Sequence, residues 1–235
     1  MSNHPAPIAT TTTASEYRPI APSAAVAAEV AEILFKLKVV QFTPQKPIRL
    51  TSGRLSPVYI DCRMLISFPA ERARIMSLMA AQVQETIGQA NDVVIAGGET
   101  AGIPYAALIA AQLDQPMIYV RKQPKDFGKG KQIEGLLKSG QTAVLIEDLA
   151  TDGGSKVNFL KAIRYGGGIV SDVFVIFYYN IFQSALGVMT QNRFNMHYLC
   201  SWADLLAYAS REQLLPAEQL ASVQRYLDAP DSWTA

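Results

Sequence analysis

The sequence predicts an α/β protein in which a central, mostly parallel sheet carries helices on both faces. Short apolar runs without polar alternation recur along the chain, and such runs are typical of strands that are buried on both sides. Segments with helical periodicity alternate with these runs, which is the order expected for parallel strands joined by crossover helices. Unusual polar segments follow three of the runs, at the strand ends where open α/β sheets bind ligands.

Each element is predicted from its own pattern. The first helix is predicted over residues 24–38, where Val26, Val30, Ile33, Leu34 and Leu37 fall on one face. Further helices are predicted over 69–87, 101–113 and 153–167, and the segments 201–210 and 216–230 also look helical. Buried strands are predicted over 92–97, 116–120, 142–148 and 169–179. His197 is interpreted as an ordinary hydrogen-bonded strand residue.

The N-terminal part of the chain is less regular. Residues 1–22 are rich in Thr, Pro, Ala and Ser and are predicted to be a disordered tail. Residues 23–235 are predicted to form a single domain, since this length and 49% hydrophobic content suffice for one core. Within it, "PIRLTSGRLSPVYIDCR" (47–63) has turn signals flanked by short extended pieces.

The composition excludes several functional classes. A formal net charge of +1 is too small to attract nucleic acid through the overall electrostatic field of the protein. No apolar stretch is long enough to span a membrane, and the first residues lack the layout of a signal peptide. Two cysteines are too few for a disulfide framework, so a reduced, cytoplasmic protein is expected. With only two histidines, a histidine-based nucleophile or metal cage is disfavoured, and no metal ligand is assigned.

The segment "VLIEDLATDGGSK" (144–156) places two acids at a strand end, directly before a small-residue turn. Backbone N–H groups of such a turn, at a helix N-terminus, bind phosphate well. Thr151, Gly153, Gly154 and Ser155 are therefore predicted to cradle a phosphate. Glu147 and Asp148 would repel phosphate but can accept hydrogen bonds from sugar hydroxyls. The pattern predicts a site for a phosphorylated ribose, although a helix start with acidic dipole partners would have the same sequence.

A second segment, "RKQPKDFGKGK" (121–131), concentrates positive charge between two strands. Its basic residues are Arg121, Lys122, Lys125, Lys129 and Lys131, opposed by one acid, Asp126. A loop of this length in a compact domain is usually functional, and its charge favours closure over a polyanion. A solvated lysine-rich loop is the alternative.

A third segment, "GGETAGIP" (97–104), follows a predicted buried strand. Its glycines would allow the backbone to approach a ligand, with Gly98 and Thr100 as the candidate contacts. Glu99 would repel a polyanion unless it acted through a bound cation. An ordinary strand-to-helix turn is the alternative. Together, the three segments indicate a ribose 5-phosphate that bears a pyrophosphate, with Mg²⁺.

Four motifs in order resemble those of the orotate phosphoribosyltransferases, a type I phosphoribosyltransferase family. They are "LTSGRLSPVYIDCR", "AGGETAGIPYAALIA", "YVRKQPKDFGKGKQIEG" and "VLIEDLATDGGS". The resemblance covers about residues 30–180 and implies the family's fold, with a small N-terminal hood-like region. It implies transfer of phosphoribose from phosphoribosyl pyrophosphate to orotate in pyrimidine synthesis, with Mg²⁺. It also implies a homodimer whose active-site loop reaches the neighbouring site.

The resemblance implies a role for each matching residue. Glu147 and Asp148 would bind the ribose hydroxyls, and Thr151 to Ser155 the 5′-phosphate. Catalysis would depend on Asp148 and on three residues that contact the pyrophosphate, Arg121, Lys122 and Lys125. Lys125 would belong to the loop that reaches the neighbouring site of the dimer. Orotate would lie near Ser52, Gly53 and Tyr59.

Two of the residues that depart from the family pattern lie in the predicted loop and phosphate turn. Phe127 stands where many relatives have His, and Asp152 stands where a small residue is usual. They motivate the alternative of a low-activity paralogue that binds phosphoribosyl pyrophosphate or a nucleotide in a regulatory role. A different acceptor base, such as a purine, is a further alternative.

Overall fold

The computed structural model describes residues 17–43, 46–49, 55–88, 90, 92–124, 131–230 and 232–233. The helices are α1 (Ala24–Lys36), α2 (Pro69–Ile87), α3 (Gly102–Leu113), α4 (Gly154–Tyr165), α5 (Ser184–Asn192), α6 (Trp202–Arg211) and α7 (Ala217–Asp228), with a 3₁₀ helix at Cys62–Ser67. The strands are β1 (Pro19–Ile20), β2 (Val40–Phe42), β3 (Ile48–Arg49), β4 (Leu55–Ser56), β5 (Val58–Ile60), β6 (Val93–Gly98), β7 (Met117–Val120), β8 (Ile133–Glu134), β9 (Thr142–Ala150), β10 (Ile169–Tyr178) and β11 (Asn195–Ser201).

Seven of these strands form the central sheet, in the order β1-β11-β10-β9-β6-β7-β8. Each neighbouring pair is parallel except β7 and β8, which are antiparallel. The predicted α/β class with a mostly parallel sheet is therefore confirmed. From β6 the chain first adds β7 on one side and later returns to add β9 on the other side. The carboxyl ends of β6 and β9 thus form a topological switch point, where such sheets bind ligands.

Helices cover both faces of the sheet, as predicted. In β9, Val144 and Ile146 face a core formed with α1, α2, α3, α6 and α7. The alternate residues Ala143 and Leu145 face a second core, formed with α4 and α5. Successive strand side chains point to opposite faces, so a strand buried on both sides must be apolar throughout. This requirement produced the continuous apolar runs in the sequence.

A small N-terminal region stands beside the carboxyl end of the sheet. It contains two antiparallel pairs, β2 with β5 and β3 with β4. Side chains from β3 and β5, including Arg49 and Tyr59, reach the cleft described below. The structure thus agrees with the expected small hood-like region.

The predicted end of the tail, residue 22, is corrected by the structure. Pro19–Ile20 forms edge strand β1 and pairs with Met196 and His197 of β11. The N–H of Met196 donates to the carbonyl of Arg18, so the edge of the sheet supplies the backbone partners. A two-residue strand has no local periodicity, and composition alone placed it in the tail. Residues 1–16 lie outside the described residues.

Candidate active site

A cleft of about 870 Å³ opens at the switch point between β6 and β9. Seven residues of the predicted site line it: Tyr59, Thr100, Lys122, Glu147, Asp148, Thr151 and Ser155. Gly98, Gly153 and Gly154 belong to the surrounding backbone. The guanidinium of Arg121 lies instead 4.0 Å from the Glu134 carboxylate. The predicted residues Ser52, Gly53 and Lys125 lie outside the described residues.

The predicted phosphate cradle forms the turn between β9 and α4. Gly153 has φ 83°, a left-handed conformation that favours glycine, and α4 begins directly after it. Thr151 and Ser155 line the cleft on either side of this turn. The Asp152 carboxylate accepts the N–H of Gly154 (2.9 Å) and the hydroxyl of Thr151 (3.4 Å). Two donors expected for a phosphate are therefore engaged by the protein's own carboxylate.

Replacing Asp152 by alanine is expected to have two opposite effects. The turn loses the hydrogen bonds from Gly154 and Thr151 to Asp152, which should lower the stability by about 0.5–1.5 kcal/mol. The 5′-phosphate loses a competing and repelling carboxylate, so substrate affinity should rise, by about tenfold at most after solvent screening.

Thermal unfolding and calorimetric titration with phosphoribosyl pyrophosphate measure the two effects separately. Asp204→Ala is the matched control, because Asp204 caps α6 by accepting the N–H of Ser201 (2.8 Å) outside the cleft lining. The control should lower stability without changing affinity. Weaker binding by Asp152→Ala would mean that the hydrogen bonds of Asp152 to the turn matter more for affinity than its repulsion of the phosphate.

The two acids at the end of β9 have different surroundings. Glu147 is buried and its Oε2 lies 2.5 Å from Nζ of Lys156, which is also buried. Asp148 is partly exposed in the cleft, and its Oδ1 accepts the N–H of Leu149 (2.8 Å). Burial raises the pKa of both carboxyls, and the attraction of Lys156 opposes each shift. Asp148 is therefore the more accessible hydrogen-bond acceptor of the two.

Two glycines make room for Glu147. A β-carbon at Gly98 would collide with the Glu147 carboxylate and would lie 2.9 Å from the Phe159 ring. A β-carbon at Gly102 would lie 2.7 Å from Oε1 of Glu147. The glycines of the segment after β6 were predicted to allow close approach to a ligand. In the structure these two allow the close approach of a buried carboxylate.

Side chains from three parts of the chain form hydrogen bonds with the backbone of Arg121 and Lys122, directly after β7. The N–H of Lys122 donates to Oε2 of Glu99 (2.7 Å), which comes from the end of β6. The carbonyl of Lys122 accepts from Nδ2 of Asn158 on α4 (2.7 Å). The carbonyl of Arg121 accepts from Nε2 of Gln132 (3.2 Å). Lys122 is thereby fixed at the cleft edge, and Glu99 acts here as a backbone anchor.

The opposite wall of the cleft combines aromatic and charged side chains. Arg63 is paired with Asp61 through Nε (2.6 Å) and Nη2 (2.9 Å), and its Nη2 also donates to the Tyr59 hydroxyl (3.2 Å). Tyr179 and Phe182 are stacked with centroids 6.3 Å apart, and both line the cleft. This wall can accept a planar, polar ring.

Several cleft residues were not predicted from the sequence, among them Arg63, Lys156, Asn158 and Phe182. One sequence signal could have found Lys156. It precedes Phe159, Leu160 and Ile163 by three, four and seven positions, so it lies on the buried face of α4. A lysine on an apolar face is rarely buried without a partner, and the adjacent acids are the available partners.

Several solved enzyme structures have the same fold as this chain. The Leishmania donovani UMP synthase superposes with a TM-score of 0.72 at 27% identity, covering 86% of this chain and 42% of that one. The Aeropyrum pernix orotate phosphoribosyltransferase gives a TM-score of 0.63 at 26% identity, covering 80% and 99%. The Mycobacterium tuberculosis enzyme in complex with phosphoribosyl pyrophosphate shares the fold, with a TM-score of 0.57 at 23% identity.

The parallel sheet, the acid pair and the turn before α4 define a type I phosphoribosyltransferase. Curated orotate phosphoribosyltransferases from Sinorhizobium fredii and Cereibacter sphaeroides are each 45% identical, over 205 and 212 residues. These alignments cover 87% and 90% of this chain and 88% and 91% of those proteins. The chain therefore belongs to the orotate phosphoribosyltransferase family. No family model matches the chain.

Proposed function

We propose that the chain transfers the 5-phosphoribosyl group from phosphoribosyl pyrophosphate to orotate, giving orotidine 5′-monophosphate and pyrophosphate in pyrimidine synthesis. The observation that carries this assignment is the convergence at one cleft of the acid pair, the turn before α4 and Lys122. Relatives at 45% identity bear the corresponding name. No finding favours the regulatory paralogue over the enzyme.

The roles of the residues follow from their positions. Asp148 and Glu147 both accept hydrogen bonds from the ribose hydroxyls, Asp148 from the more exposed position and Glu147 from below. Thr151, Ser155 and the N–H groups of the turn bind the 5′-phosphate after Asp152 moves aside. Lys122 faces the pyrophosphate. The ring of orotate lies against the aromatic wall near Tyr59.

The reaction requires no protein nucleophile. The bond between the anomeric carbon and the pyrophosphate oxygen breaks while a ring nitrogen of orotate forms a bond to the same carbon, and the proton of that nitrogen passes to the leaving pyrophosphate or to solvent. Positive charge develops on the ribose and negative charge on the leaving group in the transition state. The carboxylates below the ribose and Lys122 beside the pyrophosphate are placed to stabilise these opposite charges. A closed cleft would also exclude water, which otherwise competes with orotate.

We further propose that Mg²⁺ enters as part of the substrate, bound to its pyrophosphate. In the part of the chain that the structure describes, no cluster of three or more His, Cys, Asp or Glu could hold a metal ion. Mg²⁺ commonly keeps several waters and binds through substrate phosphates. We therefore assign no side chain as its ligand.

The assembly and location of the enzyme are also proposals. A homodimer is proposed, with the segment that contains Lys125 contributing to the neighbouring site, on the resemblance given above. A cytoplasmic location fits two cysteines that are both free and buried, Cys62 and Cys200. Among the described helices, none is long and apolar enough to cross a membrane.

The function is tested with purified protein, labelled orotate and phosphoribosyl pyrophosphate, with and without Mg²⁺. Formation of labelled orotidine 5′-monophosphate that depends on Mg²⁺ is the expected result. Adenine and hypoxanthine serve as competing acceptors, and neither should be converted. Tight binding of phosphoribosyl pyrophosphate without product would instead favour the regulatory paralogue.

Asp148→Asn is expected to weaken phosphoribosyl pyrophosphate binding by about 1.5–3 kcal/mol, because a charged acceptor for a ribose hydroxyl is lost. Calorimetric titration measures the change. Asp114→Asn is the matched control, since Asp114 ends α3 on the surface in a left-handed conformation that Asn tolerates. Equal affinities of Asp148→Asn and wild type would remove Asp148 from the site.

A further inference from the structure

The buried ion pair beneath the cleft contains Lys156, a residue to which the sequence patterns assigned no role. The side chains of Lys156 and Glu147 are only 5% and 7% exposed. A charge buried to this extent is costly unless an opposite charge compensates it. Lys156 is the third residue of α4, the helix whose N-terminus forms the phosphate turn, whereas Glu147 belongs to β9. The pair therefore joins the ribose acids to the phosphate turn.

One oxygen of Glu147 is not used by this pair. Oε1 is buried and has no hydrogen-bond partner among the described residues. It lies against the backbone of Gly98 and Gly102, where any side chain would displace it. The carboxylate is thus fixed on one side by Lys156 and on the other by glycine backbone, and it still forms part of the cleft lining.

The charges around Glu147 come from three elements. Lys156 approaches from α4, Asp148 adjoins it in β9, and Lys122 approaches from the segment after β7. Asp148 is itself influenced by Lys156 and by Arg63 from the 3₁₀ helix. Lys156 is the only one of these cations that is within hydrogen-bond distance of Glu147 in the described structure. Its removal would leave two adjacent carboxylates without a direct cationic partner.

We propose that Lys156 is a positioning residue for the transfer reaction, which holds the Glu147 carboxylate ionised and oriented beneath the bound ribose. The inference rests on the proposed function, because it assigns Glu147 to the ribose side of the cleft. Lys156 acts through Glu147 and does not itself contact the substrate.

In Lys156→Met, stability and substrate affinity relative to wild type are expected to change with pH in opposite directions. Without the ammonium, the pKa of Glu147 rises further, because burial is no longer opposed. A raised carboxyl pKa means stability that is present at low pH and is lost as pH rises through the folded-state pKa. Stability relative to wild type should therefore decrease as pH rises above the ordinary carboxyl range, and measurements from pH 5 to pH 8.5 follow this decrease. Affinity for phosphoribosyl pyrophosphate should change the other way, since the ionised Glu147 carboxylate accepts hydrogen bonds from hydroxyls more strongly than the neutral acid does.

The experiment compares wild type with Lys156→Met, Lys156→Arg and the double variant Lys156→Met/Glu147→Gln across this pH range. Thermal unfolding and calorimetric titration with phosphoribosyl pyrophosphate are the two measurements. For Lys156→Met, affinity relative to wild type should drop by about tenfold more at pH 6 than at pH 8.5, equivalent to about one pKa unit. Lys156→Arg should restore most of the affinity. The double variant should regain stability, bind weakly and lose most of this pH dependence.

Lys161→Met is the matched control, because Lys161 is an exposed lysine on the same helix. It should match wild type in both measurements. The proposal would be overturned if the affinity of Lys156→Met changed with pH in parallel with that of wild type. It would also be overturned if the double variant kept the pH dependence of Lys156→Met. If Lys156→Met does not fold, the other two variants decide: near-wild-type affinity of Lys156→Arg together with weak, pH-independent binding by the double variant supports the proposal, and a double variant that binds as tightly as wild type overturns it. The unfolding measurement needs no substrate, so a wild type without transferase activity would refute the proposed function and leave the ion-pair test intact.

Discussion

Gly98→Ala is expected to destabilise the protein by about 3–5 kcal/mol. The new methyl group would occupy the space of the Glu147 carboxylate, with the Phe159 ring 2.9 Å away on another side. Gly98 is buried in the central strand β6, so the backbone has little freedom to move. Relief requires a displacement of Glu147, which would separate it from Lys156 and leave a buried charge without its partner.

Thermal unfolding measures this effect, and a decrease in Tm on the order of 10 °C is expected for a domain of this size. Gly187→Ala is a control that is expected to increase the stability. Gly187 is exposed in α5, and a β-carbon there meets nothing within 4 Å. Alanine should stabilise that helix by about 0.5–1 kcal/mol. A Gly98→Ala protein with the Tm of wild type would show that Glu147 is not packed against β6.

Lys125→Ala is expected to lower turnover by about a hundredfold, with a much smaller effect on substrate binding. The ammonium is proposed to act on negative charge that grows on the leaving pyrophosphate, and interactions made only in the transition state change kcat. Steady-state kinetics together with calorimetric binding separate the two quantities. Lys161→Ala again provides an exposed lysine as the control. A loss of affinity as large as the loss of turnover would assign Lys125 to ground-state binding.

The same variant tests the proposed exchange between subunits. Mixed dimers of Lys125→Ala with Asp148→Asn would contain one site with both defects and one site with neither. An equal mixture that exchanges freely should recover about a quarter of wild-type activity. A mixture that forms mixed dimers but recovers no activity would show that each site is built from one chain.

Local patterns in the sequence were sufficient for most of the architecture. Helix α2 (Pro69–Ile87) has the predicted bounds, because a proline stands at its first position and a glycine follows its last. The buried strands were recognised because a sheet covered on both faces requires apolar residues at every position. The same logic brought seven of the predicted site residues to one cleft, since polar segments interrupt the apolar runs at strand ends. His197 is a buried strand residue bonded to Asp172 (2.7 Å), as predicted.

Other features depend on contacts between distant parts of the chain. Strand β9 was predicted to end at Asp148, where the apolar run stops, but it continues to Ala150 because Leu149 and Ala150 pair with β10. The strands β1 and β8 are too short for a periodic signal and exist through their neighbours in the sheet. Helix α5 was not predicted, because its apolar residues form only a weak stripe.

The sequence by itself determined the α/β class, the order of the elements and the family of the site, because these depend on periodicity and on short motifs. Only the tertiary structure decided how the surroundings of the two acids differ. Glu147 and Asp148 are equivalent in the motif and both line the cleft, yet Glu147 is buried against Gly98 and Lys156 and Asp148 is partly exposed. That difference is set by which backbone and which charge approach each carboxylate in space, and residue spacing along the chain does not contain this information.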